Sequence, residues 1–259
     1  MAIVTPHAHM MLPTGLDAIR QTRLWQSLRD WRFLRHHRAR REFYRQFVKP
    51  GALVFDIGAN VGHYTLIFRS LRARVLAVEP QAELVARLRW RFAGIDGVQI
   101  VQTALGATAM SAVLHKAPDQ SEIATLRNDV GERSRFADLH HFSDVEIVPV
   151  VTLDSLIQQF GRPDFCKIDV EGFEDEVFAG LSQSVHALSF EFNREFWSEM
   201  ARNLGRLEQL GCYRFNYALG ENNALAEETW MTSQQLRIKL DAHTDPLLWG
   251  DIYARTEES

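Results

Sequence analysis

Three charged residues, Lys167, Asp169 and Glu171, alternate with Ile168 and Val170 in the second half of the chain. Side chains in a β-strand point to opposite faces with a period of two, so a strand here would place all three charges on one side. Burying three charges without partners or a ligand costs much free energy. We therefore expect them to gather where a sheet opens into a functional site.

This charged cluster suits the removal of a proton from a bound molecule. A carboxylate or a neutral lysine can act as the general base in such a step. Asp169 is our first candidate and Glu171 the second, whereas Lys167 would orient Asp169 or stabilise a developing oxyanion. A purely structural ion pair between Lys167 and one carboxylate is the alternative interpretation.

The carboxylate oxygens of the same cluster also suit a bound Mg²⁺, which would lower the pKa of a bound hydroxyl group. The candidate ligands are Asp169, Glu171 and Glu191, the last of which is expected to end the next strand. We do not predict a metal requirement, because the spacing alone does not bring these side chains within ligand distance.

A glycine-containing loop follows the first apolar run, at residues 52–57, and reads Asp56-Ile-Gly-Ala-Asn-Val-Gly. Gly58 and Gly62 would let the backbone turn sharply and approach a ligand, and the next helix would offer free N–H groups. Asp56 suits a ligand that carries an ammonium group. The alternative is a plain strand-to-helix turn.

A nicotinamide site would require Gly-x-Gly-x-x-Gly at this turn. Asn60 stands where the second glycine would fall, which counts against a dinucleotide. Glu79 closes the next apolar run about twenty residues further on, where an acidic side chain can bind both hydroxyls of a ribose. Pro80 then forces the chain to leave the strand in an extended conformation.

Short apolar runs alternate with amphipathic helical patterns around these motifs. Strands are predicted over residues 52–57, 74–78, 98–105, 111–115, 146–151, 165–170 and 188–192, and helices over residues 64–71, 81–92 and 195–210. Residues 213–219 and 249–255 are predicted to form a closing antiparallel pair, and Asp154 is expected to cap a further helix. This alternation implies a parallel sheet with right-handed crossovers.

The motifs together resemble those of a known family. Asp56-Ile-Gly-Ala-Asn-Val-Gly-His-Tyr-Thr and Val78-Glu79-Pro80 are similar to two motifs of class I S-adenosylmethionine-dependent methyltransferases. Val151-Thr-Leu-Asp-Ser-Leu and Lys167-Ile-Asp-Val-Glu-Gly-Phe-Glu resemble the FkbM type within that class. The four motifs follow one another in the family order over residues 53–192.

The resemblance implies a Rossmann-like α/β fold with a seven-stranded, mostly parallel sheet whose last strand is antiparallel. It implies S-adenosyl-L-methionine as cofactor and methyl transfer to a hydroxyl of a sugar, a glycan or another small-molecule natural product. The cofactor-binding residues that it implies are Asp56, Gly58, Asn60, Gly62, Tyr64, Thr65, Glu79, Pro80 and Ala104. A non-catalytic protein that binds the same cofactor and a nicotinamide-dependent oxidoreductase are the alternatives.

The residues before Pro50 are strongly basic and carry apolar residues at helical spacing. We predict a basic amphipathic helical extension over residues 1–49 and a methyltransferase domain over residues 50–259. The extension would pack on the domain, or its basic face would meet a membrane surface or an acidic partner. Its basic residues are Arg20, Arg23, Arg29, Arg32, Arg35, Arg38, Arg40, Arg41, Arg45 and Lys49.

The chain of 259 residues has a formal net charge of −4, so the whole molecule has no general attraction for nucleic acid or anionic lipid. Cys166 and Cys212 are too few for a disulfide framework or a Cys-rich zinc site. No apolar run approaches the roughly 20 residues of a membrane span, and no secretory pattern precedes residue 13. We expect a cytoplasmic protein that acts on a small molecule or a glycan, with no indication of its oligomeric state.

Overall fold

The computed structural model describes residues 36–117, 120–126, 144–220 and 222–257. One compact unit covers Arg40–Ser259. Residues 1–35, which include most of the predicted basic extension, lie outside the described residues.

Eleven strands and six complete α-helices lie in the described ranges, and residues 36–44 are also helical. The strands are β1 (Leu53–Ile57), β2 (Arg74–Val78), β3 (Val98–Val101), β4 (Ala104–Leu105), β5 (Met110–Ala117), β6 (Gln120–Thr125), β7 (Asp144–Val151), β8 (Phe165–Ile168), β9 (Ala187–Asn193), β10 (Tyr213–Leu219) and β11 (Trp249–Thr256). The helices are α1 (His63–Ser70), α2 (Ala82–Arg91), α3 (Leu153–Phe160), α4 (Glu174–Ala179), α5 (Trp197–Leu210) and α6 (Ser233–Asp241).

The main sheet has seven strands in the order β10-β11-β9-β8-β1-β2-β3. All its neighbouring strands are parallel except those beside β11, which is antiparallel to both β9 and β10. This confirms the predicted seven-stranded, mostly parallel sheet with an antiparallel last strand. Every residue of β1 and β8 is buried, as expected for central strands that are covered on both faces.

A second sheet, in the order β4-β7-β5-β6, accounts for the main error in the sequence prediction. The predicted strand over residues 98–105 is divided, because β3 stays in the main sheet while β4 pairs with β7. Thr103 lies at this crossing, and its hydroxyl donates to the carbonyl oxygen of Pro149 at 2.9 Å. The second sheet thus carries Ala104 and Leu105 away from the edge of the main sheet.

Two further boundaries differ from the prediction for local reasons. The predicted strand over residues 165–170 ends at Ile168, because Glu171 (φ 53°) and Gly172 (φ 88°) adopt left-handed conformations that no strand accommodates. Glu171 therefore lies on a loop and not on the same strand face as Lys167. Thr152 caps α3 in place of Asp154, since its side chain accepts a hydrogen bond from the backbone N–H of Ser155.

Residues 40–44 are helical and pack into the core of the domain. Tyr44 is 2% exposed, and its ring lies against those of Phe68 and Phe165, with centroids 5.1 and 5.8 Å away. The ring of Phe47 stacks on that of Tyr253 at 5.2 Å. This part of the predicted extension therefore joins the two ends of the described chain in one aromatic cluster.

Candidate active site

A cavity opens at the carboxyl ends of β1, β2 and β8, which is where open α/β sheets bind ligands. Its volume is about 200 Å³. Eight residues predicted from the sequence line it: Gly58, Asn60, Tyr64, Glu79, Pro80, Ala104, Asp169 and Glu171. In the part of the chain that the structure describes, the other five lie outside its lining: Asp56, Gly62, Thr65, Lys167 and Glu191.

The loop after β1 is packed directly against the end of β8. Gly58 has a φ of 78°, and a Cβ atom there would stand 1.8 Å from the carbonyl oxygen of Asp169. The two segments can touch only because residue 58 has no side chain. Gly62 allows a different close contact, because a Cβ there would stand 2.6 Å from the ring of Phe92 on the far side of the loop.

Glu79 is fixed in the cavity wall by two backbone N–H groups. The side chain is 3% exposed. Its two oxygens accept hydrogen bonds from the N–H of Asn60 and the N–H of Gln81, both at 2.9 Å. Burial raises the pKa of this carboxyl to about 7, although both hydrogen bonds oppose the shift. Each oxygen keeps a further lone pair for a ligand hydroxyl.

Replacing Glu79 with Gln is expected to weaken binding of S-adenosylhomocysteine about 10- to 100-fold, because hydrogen bonds to a charged acceptor contribute about 1.5–3 kcal/mol. One amide nitrogen would also face a backbone N–H that has lost its acceptor. Isothermal titration calorimetry measures the change, and Glu83→Gln on the exposed face of α2 is the matched control. Unchanged affinity in the Glu79 variant would contradict a ligand-binding role for this carboxylate.

Asp56 lies behind the cavity wall, although the sequence predicted that its carboxylate contacts the ligand. It is 1% exposed and accepts a 2.5 Å hydrogen bond from the hydroxyl of Thr65 in α1. Burial raises its pKa to about 6, while the nearby charge of Lys167 and the Thr65 hydroxyl oppose the shift. In this structure Asp56 ties β1 to α1 and so fixes the loop between them.

Lys167 is buried (2% exposed) and carries a positive charge beside the cavity. Burial opposes that charge, but the carboxylates of Asp169 and Asp251 outweigh it, so that the pKa of Lys167 is raised well above its usual value. Its Nζ donates to Oδ2 of Asp169 at 2.6 Å and lies 4.3 Å from the ring centroid of Tyr64. A neutral lysine base is therefore excluded, and Lys167 holds Asp169 in position.

Asp169 is the member of the pair that meets solvent, since its side chain is 34% exposed and lines the cavity. Its backbone N–H continues the ladder of β8 by donating to the carbonyl oxygen of Ile57 at 3.0 Å. One carboxylate oxygen is engaged by Lys167, and the other can accept a proton from a bound molecule. This geometry matches what a general base requires.

More carboxyl groups surround this pair than the sequence indicated. Glu191 and Asp251 face each other in register on β9 and β11. Burial raises the pKa of Asp251 to about 6, while Lys167 opposes the shift. Burial, with a contribution from Glu191, raises the pKa of Glu174 to about 8. The region beside Asp169 is therefore rich in carboxyl groups, and these come from three separate elements, β9, β11 and α4.

Replacing Glu174 with Gln is expected to flatten the dependence of stability on pH. Its pKa is 4.5 in the reference state and about 8 when folded, so between these values the folded protein retains a proton that the unfolded chain has lost. The free energy of unfolding therefore falls as pH rises through this window, by at most about 1.4 kcal/mol per pH unit for one proton. Urea unfolding at several pH values measures the slope.

The matched control for this experiment is Glu228→Gln, at an exposed position, which is expected to keep the native slope. The glutamine at position 174 retains an oxygen that can accept from the N–H groups of Val170 and Gly172, as Glu174 does now at 3.1 and 3.3 Å. A Glu174 variant with the native slope would show that this carboxyl is already ionised in the folded protein at neutral pH.

Several lining residues were not among the predicted site residues, chiefly because they belong to the second sheet. Leu114 of β5 and Thr125 of β6 face the cavity, together with Leu126. Phe173 joins them from the loop after β8. Alternation of apolar residues in β5 indicated a buried face for Leu114, but nothing in the sequence indicated that this face covers the cavity.

The described residues contain no group of three or more His, Cys, Asp or Glu side chains placed to hold a metal ion. Within the same ranges, no helix is both long enough and apolar enough to cross a membrane.

The family model for the FkbM methyltransferase domain matches residues 56–211. The chain belongs to the FkbM methyltransferase family. It is therefore an S-adenosylmethionine-dependent methyltransferase, and its matched region contains the loop after β1, Glu79 and the Lys167–Asp169 pair. No curated protein sequence matches this methyltransferase.

Three solved structures illustrate the similarity of this methyltransferase to known folds, all at low sequence identity. Precorrin-6y C5,15-methyltransferase from Geobacter metallireducens is 11% identical with a TM-score of 0.44, covering 85% of this chain and 87% of that one. A TehB-like methyltransferase from Corynebacterium glutamicum is 11% identical with a TM-score of 0.45, covering 90% and 97%. An O-methyltransferase from Thermotoga maritima is 14% identical with a TM-score of 0.36, covering 82% and 62%.

The cavity has the chemistry that S-adenosylmethionine needs. Glu79 would present two fixed carboxylate oxygens to the ribose hydroxyls, and Ala104, Leu105 and Leu114 would form an apolar wall for the adenine. Tyr64 and Asn60, also in the lining, would contact the methionine part.

Proposed function

We propose that this methyltransferase transfers a methyl group to a hydroxyl oxygen of a sugar, a glycan or another small-molecule natural product. The observation that carries the proposal is the 2.6 Å contact between Lys167 and Asp169 at the mouth of the cofactor cavity. An O-methyltransferase for an unactivated hydroxyl needs a positioned base, and Asp169 is both oriented and exposed to the cavity.

The bound cofactor supplies an already activated methyl group. Asp169 would accept the proton of the acceptor hydroxyl at the carboxylate oxygen that Lys167 does not occupy. Lys167 would keep the other oxygen fixed through its 2.6 Å hydrogen bond. Good alignment of the acceptor with the methyl group can lower the reaction barrier by about 7–11 kcal/mol. The side chains that position the acceptor near Asp169 therefore contribute to the rate as well as the base. Glu171, also in the lining, would contact the acceptor.

The acidic surroundings of Asp169 favour an acceptor without negative charge. Asp251 lies beside the pair, and Glu171 joins Asp169 in the cavity lining, with Lys167 as the cation that balances them. An acceptor that carries a phosphate or a carboxylate near its reacting hydroxyl would be repelled. A neutral polyhydroxylated acceptor would instead form hydrogen bonds with Asp169 and Glu171.

The experiment is to incubate the protein with methyl-tritiated S-adenosylmethionine and a metabolite extract of cells that express it, with and without EDTA. We expect label in products that survive mild alkali, since methyl ethers are stable there and methyl esters are not. Label that is lost in alkali, or that enters only amines, would overturn O-methylation. Loss of methyl transfer in the presence of EDTA would show that the reaction requires a metal ion.

We also propose a cytoplasmic location, which the cysteine chemistry supports. Cys166 is buried and Cys212 is exposed, and both are free thiols. An exposed free thiol persists in a reducing compartment and is at risk of oxidation elsewhere.

A further inference from the structure

A second pocket opens at the other end of the main sheet. Pro50 precedes β1 and Arg72 precedes β2, so this pocket faces the amino ends of strands whose carboxyl ends border the cofactor cavity. Its volume is about 530 Å³. We define the basic pocket by its lining residues: Arg41, Arg45, Val48, Lys49, Pro50, Ser70, Leu71 and Arg72.

Four cationic side chains line the basic pocket, and its lining contains no acidic residue within the described part of the chain. Glu42 lies nearby and pairs with Arg45 at 3.1 Å, but both side chains are more than half exposed, so this ion pair is weak. The whole chain has a net charge of −4. The basic pocket is therefore a positively charged site on a protein of negative net charge. Four cationic side chains around one concave surface favour the binding of an anion.

The fold holds these cations in place. Val48 and Leu71 are 2% and 5% exposed and anchor the two sides of the basic pocket in the core. The backbone N–H of Gly51 donates to the carbonyl oxygen of Arg72 at 2.9 Å, which joins the segment before β1 to the turn before β2. Arg72 has a φ of 66°, a conformation that is strained for a long side chain. The cations thus project from a fixed frame and not from a loose terminus.

The exposure of the Arg and Lys side chains of the basic pocket indicates what kind of anion they bind. Arg45, Lys49 and Arg72 are exposed at the rim, whereas a site for one small anion would enclose it with buried donors. Exposed cations distributed around a rim suit a surface that carries many phosphates. The chain that precedes the basic pocket is also strongly basic, with seven Arg residues against two acidic residues between positions 17 and 40.

We propose that the basic pocket binds the phosphate groups of anionic phospholipids and so places the methyltransferase on a membrane surface. The cofactor cavity, at the opposite end of the sheet, then faces away from the bilayer. An acceptor would reach it from the aqueous side. This contact is peripheral and electrostatic, so it weakens as ionic strength rises.

The test is sedimentation of the full chain with vesicles of phosphatidylcholine alone or of equimolar phosphatidylcholine and phosphatidylglycerol, at low and at physiological ionic strength. We expect binding only to the anionic vesicles. Each basic residue near such a surface contributes about fivefold to affinity. The variant Arg41→Gln/Arg45→Gln/Arg72→Gln is therefore expected to bind about 100-fold more weakly.

The matched control is Arg89→Gln/Arg162→Gln/Arg237→Gln, which removes the same charge from exposed positions outside the basic pocket. It is expected to bind vesicles within a few-fold of the native chain, and both variants should bind S-adenosylhomocysteine normally. Equal losses of vesicle affinity in the two variants would overturn the proposal. It would also be overturned if the native chain bound vesicles equally well with and without phosphatidylglycerol. Pocket-dependent binding of inorganic phosphate without vesicle binding would also overturn it and assign a soluble ligand.

Discussion

Replacing Asp169 with Asn is expected to lower kcat for methyl transfer by about 10²–10⁴-fold, the usual contribution of a positioned general base. Asparagine keeps the shape of the side chain and can still accept a hydrogen bond from Lys167, so the cavity should persist. The affinity for S-adenosylhomocysteine is therefore expected to stay within a few-fold of native. Labelled methyl transfer under saturating cofactor measures kcat, and calorimetry measures the affinity.

Two further variants make this result specific. Asp96→Asn removes an exposed carboxylate outside the cavity and is expected to leave kcat unchanged. Glu171→Gln tests the second candidate base and is expected to raise KM more than it lowers kcat. If Glu171→Gln produced the larger loss in kcat, the base would be Glu171, and the Lys167–Asp169 pair would be structural.

Replacing Gly58 with Ala is expected to lower the free energy of unfolding by about 2–5 kcal/mol and to weaken cofactor binding. A left-handed conformation costs an L residue about 1–2 kcal/mol, and overpacking adds about 1–3 kcal/mol or more. The overpacking arises because the new Cβ would lie 1.8 Å from the carbonyl oxygen of Asp169. Relief requires the loop to leave β8, which displaces Asn60 and its bond to Glu79.

Gly94→Ala separates the two contributions. Gly94 has a φ of 72° and nothing within 4 Å of an added Cβ, so only the conformational cost of about 1–2 kcal/mol applies. Urea unfolding of the two variants gives the difference, and calorimetry with S-adenosylhomocysteine should show a loss only for Gly58→Ala. Equal destabilisation in both variants would contradict the close approach of the loop to Asp169.

The parts of the site that could be predicted from the sequence follow a local rule. Gly58, Glu79 and Asp169 each come directly after a buried parallel strand, and the carboxyl ends of parallel strands share one edge of the sheet. Their types and spacing therefore indicated both the place and the chemistry. The main sheet was predictable for the same reason, because its strands are short, apolar and separated by amphipathic helices.

The parts that could not be predicted depend on contacts between distant residues. The division of residues 98–105 depends on Thr103 bonding to Pro149, 46 positions away. The burial of Asp56 depends on a hydroxyl in α1 and on Lys167 in the neighbouring strand. The charge of Lys167 depends on Asp251, which lies outside the region that the family model matches. No local pattern encodes any of these neighbours.

The aromatic cluster at residues 40–47 has a consequence for biosynthesis. Tyr44 lies beside Tyr253, 209 positions later in the chain, and β11 fills the space between β9 and β10. At a translation rate of about 5–20 residues per second, Tyr44 leaves the ribosome about 10–40 s before its partner exists. The aromatic face of this helix therefore stays uncovered until β11 has been synthesised, and completion of the sheet is a late step in folding.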